Sequence, residues 1–246
     1  MTTVAQLYRY PLKSHGREEL GHTTLTAGQS MPWDRTWAVV HDAARTDGTE
    51  WAHCANFSTG SKAPALMAIT AAFDSARELL TLHHPDRPSL TFHPDRETSR
   101  FLEWVAPLVP ENRAQPSAIF RLDGRGFTDT PYPSVSLCNY ASLRAVSDAV
   151  GTPVSPHRWR GNVWFDTGSP WDELDWVGKE VAIGSVVLRI RERTERCRAT
   201  TANPKTGERD IEMLRILKGW GHQDFGVYAE VIETGPVFIG DQVKVL

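Results

Sequence analysis

A single thiol, Cys197, stands in the run Glu195-Arg196-Cys197-Arg198-Ala199-Thr200-Thr201, and Asn203-Pro204-Lys205-Thr206-Gly207 follows it as a turn. A thiol acts as a metal ligand or nucleophile only as its thiolate, and neighbouring guanidinium groups favour that anion. Arg193, Arg196 and Arg198 are expected to supply such a field. Local chemistry leaves two readings level: a metal-bound or reactive cysteine, and a small buried hydrophobe on a basic strand, since free cysteine is among the most buried residue types. Upstream, Val186 to Arg191 alternates apolar and basic residues, which predicts a half-buried strand delivering Cys197 at or near its end.

The elements that must position this thiol are bounded by composition. With 246 residues the chain can bury a substantial core, as one large β-rich domain or two smaller ones. Its three cysteines, Cys54, Cys138 and Cys197, are widely separated and contain no CxxC pair. That pattern argues against a disulfide framework, a structural zinc site or a cysteine-held iron–sulfur cluster. A formal charge of -3 gives no global attraction to a nucleic-acid polymer. The start of the sequence lacks a charged leader with a long apolar region, and no run is apolar enough to span a bilayer, so the expectation is a soluble, cytoplasmic protein with no membrane partner.

Short apolar stretches between Gly, Pro, Asp and Ser predict strands at Val4 to Tyr10, Trp37 to Val40, Leu66 to Phe73, Leu79 to Leu82 and Ser89 to Phe92. Phe101, Trp104, Val105 and Leu108 follow helical spacing. Asn139 is expected to cap a second helix through Leu143, Val146 and Val150, ended by Gly151. A strand at Asn162 to Phe165, a hairpin from Glu180 to Leu188 turning at Gly184-Ser185, a short helix from Asp210 and strands at Val227 to Ile232 and Val243 to Leu246 complete the reading. Many strands with few helices predict a β-rich α+β protein centred on a barrel, divided loosely into residues 1–95 and 96–246.

Five short motifs occur in order: Tyr10-Pro11-Leu12-Lys13-Ser14, Asp34-Arg35-Thr36-Trp37, Trp159-Arg160-Gly161-Asn162, Arg196-Cys197 with its Thr-Thr and Pro-x-Thr-Gly, and Phe225-Gly226-Val227-Tyr228. This combination resembles the MOSC family, whose name abbreviates molybdenum cofactor sulfurase C-terminal domain. The initial segment is similar to the β-barrel region that precedes this domain in the mitochondrial amidoxime-reducing component and its bacterial relatives. The resemblance implies a MOSC-type β-barrel with an N-terminal barrel-like region. It also implies that Cys197 ligates molybdenum, a soft thiolate suiting that metal beside a pterin ene-dithiolate. By the same resemblance Lys13, Ser14, Arg35 and Arg160 hold the cofactor phosphate, as Lys supplies a point charge, Arg a fork and Ser a short donor. Asn162, Glu195, Arg196, Tyr228 and Ser134 are the further residues that it places near the cofactor. Two departures stand out: the loop from Trp51 to Lys62 lacks an expected arginine pattern, and His15 follows Lys13-Ser14, as a proton donor or, more commonly for a lone loop histidine, a surface residue.

What this resemblance implies for function is a molybdenum-cofactor oxidoreductase that reduces N-hydroxylated compounds, such as amidoximes, hydroxylamines or N-hydroxylated bases, to amines or amidines. The chain has no flavin fingerprint and no cysteine set for its own cluster, so a separate electron donor, a ferredoxin-like protein or a flavin reductase, is expected. Two alternatives share the same cysteine: a persulfide sulfur carrier and a non-catalytic carrier of the molybdenum cofactor.

Overall fold

The computed structural model describes residues 2–246. Five strands and then two more open the chain: β1 (Val4–Arg9), β2 (Glu18–Leu20), β3 (His22–Leu25), β4 (Trp37–His41), β5 (Thr70–Asp74), β6 (Leu79–His84) and β7 (Arg87–Phe92). Helix α1 (Thr98–Val105), β8 (Pro116–Arg121), β9 (Val135–Asn139), helix α2 (Tyr140–Val150) and β10 (Val163–Phe165) form the middle. The last part contains β11 (Glu180–Ile183), β12 (Val186–Glu195), helix α3 (Met213–Lys218), β13 (Asp224–Glu233), β14 (Gly235–Phe238) and β15 (Val243–Val245).

Alternation in β12 buries Val186, Leu188, Ile190 and Thr194 and leaves Arg189, Arg191 and Arg193 outside, the period of a strand covered on one face. This strand lies in an eight-stranded sheet of order β15-β11-β12-β13-β9-β10-β1-β2, in which only the β9–β10 pair is parallel. Valines, leucines and isoleucines from these strands, with Phe165 and Trp176, form one core. The sheet curls without closing as a barrel by continuous ladders; a single bridge between Thr3 and Gln242 links the approaches to β1 and β15.

Two smaller sheets, β5-β6-β7 and the β4–β8 pair, enclose a second core with α1, built on Trp37, Leu80, Leu82, Phe92, Phe101 and Trp104. The fourth sheet is the β3–β14 pair. Segments on either side of residue 95 interleave: β1 pairs with β10, β4 pairs with β8, and α1 packs its buried Phe101 and Trp104 into the core of the small sheets. The expected strand from Leu66 to Phe73 begins only at Thr70, because Pro64 opens a 3-10 helix over Pro64–Ala68. The helix expected from Asp210 begins at Met213. Asn139 caps α2 as expected, accepting from the Ala141 amide at 3.0 Å, and Gly151 ends it at φ 82°.

Two local features fix the ground beneath the future site. In β13, Gly226 adopts φ 75° where the register with β12 slips, and a Cβ there would meet the Leu137 carbonyl oxygen at 2.4 Å and Cys138 Sγ at 2.9 Å. His15 is fully buried, not a surface residue: Nδ1 donates to the Lys13 carbonyl at 2.7 Å, its ring meets Phe101 edge-on, and Nε2 has no partner. Burial therefore pushes its pKa down to about 4 from 6.5, with the Lys13 bond opposing.

Each feature gives a stability prediction. Gly226→Ala should lower the unfolding free energy by about 3 kcal/mol in urea titration, through left-handed strain plus the carbonyl clash. Gly221→Ala, at φ 81° with open space around it, should cost only about 1–2 kcal/mol; equal losses at the two positions would contradict the close approach. For His15 the unfolded state binds the proton more tightly, so stability is complete above pH 6.5 and falls toward pH 4, by about 3 kcal/mol in all. His15→Gln should flatten that acid limb, and an unchanged limb would show that the imidazole does not carry it.

Candidate functional site

Chain order places the ten candidate residues on six separate segments, and the fold brings eight of them to one cleft of about 240 Å³: Lys13, Ser14, Arg35, Arg160, Glu195, Arg196, Cys197 and Tyr228. β12 ends at Glu195, and the exposed Cys197 follows at the start of a 3-10 turn over Arg198–Thr201. The Cys197 carbonyl accepts from the Thr200 amide at 3.2 Å and the Thr200 hydroxyl at 3.0 Å, so the hydroxyl beside the thiol braces its own turn.

The same cleft is lined by a cluster of cations, two of them held in unfavourable backbone geometry. Six described non-glycine residues have left-handed φ, and three of them line this cleft: Ser14 at 64°, Arg35 at 54° and Arg160 at 51°. Such strain persists only where the surroundings over-determine it. Tyr10 is the post around which they gather. Its ring carries the Arg35 guanidinium at 4.9 Å and the Arg160 guanidinium at 4.2 Å, and its hydroxyl donates to the Gly161 carbonyl at 3.1 Å.

Acids hold the cluster but do not consume it. Asp34 accepts the Tyr10 amide at 2.8 Å and pairs with Arg35, whose second nitrogen donates to the Arg160 carbonyl at 3.2 Å. Burial works against the Arg35 charge, and Asp34 with Asp129 outweighs it, so its pKa is raised. Lys13 donates to the Phe127 carbonyl at 2.8 Å and pairs with Asp129. The Asp129 carboxylate is 44% exposed to the cleft; desolvation pulls its pKa upward, and Lys13 and Arg35 hold it well below the ordinary carboxylate range. Arg160 has the weakest support. Burial first, then Arg35, pushes its pKa down to about 10, one nitrogen donates to Gly16 at 3.3 Å and Nη2 has no partner.

Unpartnered buried polar atoms recur on residues of this wall: Arg160 Nη2, Arg158 Nε, Thr194 Oγ1 and Trp159 Nε1. Buried donors are ordinarily satisfied, so their concentration marks a wall built for an acceptor-rich guest. An anion would relieve the Arg35–Arg160 repulsion and occupy these donors. Cys197 adds a soft sulfur donor to the same space, and Tyr228, whose pKa is raised by burial and by Asp129, adds a protonated phenol.

Several expectations change. Asn162 and Ser134 lie outside the cleft lining. Asn162 is spent in the sheet, accepting from the Ser136 amide at 3.1 Å and the Ser136 hydroxyl at 3.0 Å and donating to the Tyr8 carbonyl at 3.2 Å. Ser134 accepts from the Thr130 hydroxyl at 2.8 Å inside the fold. The arginine field around Cys197 is also rearranged. Arg193 turns to the Leu174 carbonyl and Asp175, while Arg196 runs inward to the Phe225 and Trp159 carbonyls and Cys138 Sγ. Arg196 is thus a brace between β13 and the Trp159 turn.

Residues that sequence reasoning passed over complete the wall. Cys54, Thr59, Gly60 and Ser61 come from the Trp51 to Lys62 loop, so the segment that departs from the expected arginine pattern faces the cleft after all. Arg158 and Asp129 join them; Arg158 reaches the Thr200 carbonyl at 3.3 Å and Asp210 at 2.7 Å. Strong arginine–acid pairing also explains a cluster far from the cleft: Glu78, His93 and Asp95 approach one another like metal ligands, but Arg121 already bridges Glu78 and Asp95 at 2.8 Å each.

Comparison with known proteins identifies the family of the chain. A model of the MOSC N-terminal β-barrel domain matches residues 1–107, and one of the MOSC domain matches residues 127–244. The molybdenum cofactor sulfurase of Drosophila pseudoobscura is 32% identical over 100 residues, which cover 40% of this chain and 12% of that protein. That of Drosophila ananassae is 32% identical over 115 residues, covering 44% and 15%. The chain therefore matches only a small part of these relatives' length. Among solved structures, the YuaD protein of Bacillus subtilis aligns over 100% of this chain and 96% of its own at 14% identity with a TM-score of 0.47. YiiM of Geobacillus stearothermophilus aligns over 46% and 53% at 12% identity with a TM-score of 0.35. Among the described residues no helix is long and apolar enough to cross a membrane. With the two adjacent domain matches spanning most of its length, the chain belongs to the MOSC family.

Proposed function

We propose that this protein is a molybdenum-cofactor enzyme that reduces N-hydroxylated compounds, using a separate electron-donor protein, ferredoxin-like or flavin-containing. The observation that carries the reading is the meeting of an exposed soft donor, Cys197, with a strained cation cluster containing an unpartnered Arg160 Nη2 in one cleft. A sulfur-carrying cysteine alone has no need of that cluster. A metal cofactor with a phosphate tail needs both ends.

The residues fit such a group by donor type. Lys13, Ser14, Arg35 and Arg160 would hold its phosphate, with Asp34 and Asp129 fixing the cations in place before it arrives. Cys197 would supply a sulfur ligand to the metal. Tyr228 keeps its proton and so offers a hydrogen-bond donor to the pterin. When bound, the cofactor supplies the two-electron chemistry that no side chain here can perform. Reduction of an N–OH group consumes two electrons and two protons and yields N–H and water, so reducing equivalents must arrive from outside this chain. The Cys54, Thr59 and Ser61 side of the cleft would face the small substrate.

A second reading draws support from Cys54, which places another thiol in the Cys197 cleft, and from the sulfurase name of the similar proteins. Here Cys197 would carry a persulfide and hand its outer sulfur to a thiophilic acceptor. Metal and pterin analysis of protein purified anaerobically from a molybdenum-replete host separates the two. Molybdenum and pterin in near-equal amounts are expected; their absence with cyanide-labile sulfur on Cys197 would establish the carrier instead.

Two variants extend the test. Cys197→Ser should fold normally and lose turnover of N-hydroxylated compounds, since oxygen poorly replaces a soft ligand; unchanged turnover would remove the cysteine from the chemistry. Arg160→Ala should weaken cofactor retention about 10- to 100-fold, the range expected for one charge-assisted contact. Full molybdenum occupancy after gel filtration of that variant would put the anion site elsewhere.

A further inference from the structure

The turn that carries Cys197 is tied to the N-terminal part of the chain by side chains that the chemistry above does not use. Arg209 Nη1 donates to the Arg198 carbonyl at 2.6 Å and to the Thr201 hydroxyl, both in the turn that begins after Cys197. Its Nη2 donates to the Ser61 carbonyl at 2.7 Å, in the loop that also lines the cleft. One guanidinium therefore spans two segments about 140 residues apart in sequence. Gly60 beside it packs close enough that an added Cβ would meet Ala199 Cβ at 3.6 Å.

Neighbouring contacts divide the labour. Arg158 and Asn203 meet at Asp210, at 2.7 and 2.9 Å, and brace the cysteine turn from within its own domain. Arg17 donates to the Met67, Ile69 and Pro204 carbonyls, and Gly207 sits so near Ala65 that a Cβ would lie 2.6 Å from its Cα. These contacts dock the far end of the turn on the Pro64–Ala68 helix. Arg209 alone among them reaches the Ser61 wall. Burial, then the nearby Arg198, lowers its pKa, with Cys197 and Glu212 opposing, and its direct acceptors are the Arg198 and Ser61 carbonyls and the Thr201 hydroxyl. Lysine can replace it only in part, because a point charge lacks the fork that serves both segments.

We infer that Arg209 is a positioning residue that couples the Ser61 wall to the Cys197 turn, so that the width of the cleft at the thiol is set jointly by both domains. The inference rests on the proposed function only for its consequence, namely that cofactor ligand and substrate wall move together. Its physical claim concerns the metal-free protein. Loss of the guanidinium should free residues 59–61 and widen the cleft at Cys197, while the Arg158–Asp210–Asn203 brace keeps the turn folded.

The test uses the 246-residue chain, metal-free and carrying Cys54→Ser, so that Cys197 is the reactive thiol and Cys138 stays buried. A bulky polyethylene-glycol maleimide should label Cys197 at least fivefold faster in Arg209→Ala, and millimolar guanidinium should restore the slower rate. Arg209→Lys should recover only part of the protection. Hydrogen exchange at the Lys62 and Ala63 amides, both bonded to the Thr59 carbonyl, should accelerate about tenfold with β5 to β7 unchanged. Unchanged labelling, acceleration that guanidinium does not reverse, or exchange that rises across β5 to β7 would each overturn the inference. Absence of molybdenum from the wild-type protein would overturn the proposed function and leave this coupling standing.

Discussion

Mutual repulsion between buried cations is the constraint on which the rest of this structure turns. Arg35 and Arg160 both pack against one tyrosine ring, with Lys13 held in the same wall by Asp129. Desolvation and like charge both act against Arg160, whose pKa falls to about 10, yet it stays protonated at neutral pH with a nitrogen unpartnered. Two carboxylates offset part of that cost. The remainder is free energy held ready for an anionic ligand, because preorganised donors need not rearrange when it binds.

The fold supplies the rigidity such a cluster requires. Tyr10 follows β1, an interior strand of the large sheet, and Arg35 stands two residues before β4 in the smaller assembly, so the post and one of its cations belong to different sheets. Asn162 then ties β1 and β9 at the base of the cleft through Tyr8 and Ser136. With strands from both ends of the chain contributing, the left-handed residues at 14, 35 and 160 are over-determined by their surroundings. The interleaving is also why neither part of the chain alone presents the whole site.

Much of this was legible in the sequence, and the failures have physical causes. Strand periodicity located β12 and β13, and the Asn139 and Gly151 signals located α2, since these depend on neighbours along the chain. The ordered motifs named Lys13, Ser14, Arg35, Arg160 and Tyr228, which the fold gathers around Cys197. Adjacency misled at Arg193 and Arg196: strand alternation sends one outward to Asp175, and the other reaches inward to backbone carbonyls. Asn162 has the same polar surface as a ligand residue, and nothing in its spacing reveals that the sheet consumes it. Arg209, Arg158 and the Cys54 to Ser61 wall were missed because their roles rest on contacts between distant segments. The backbone strain at Ser14, Arg35 and Arg160 has no sequence signature at all.

Every part of the account meets at the sulfur of Cys197 and its relation to the metal it would hold. Molybdenum K-edge X-ray absorption on the purified protein tests that relation most directly. The account predicts that wild-type protein shows one more sulfur neighbour at molybdenum than Cys197→Ser loaded to the same metal content. Identical sulfur shells in the two proteins would contradict it.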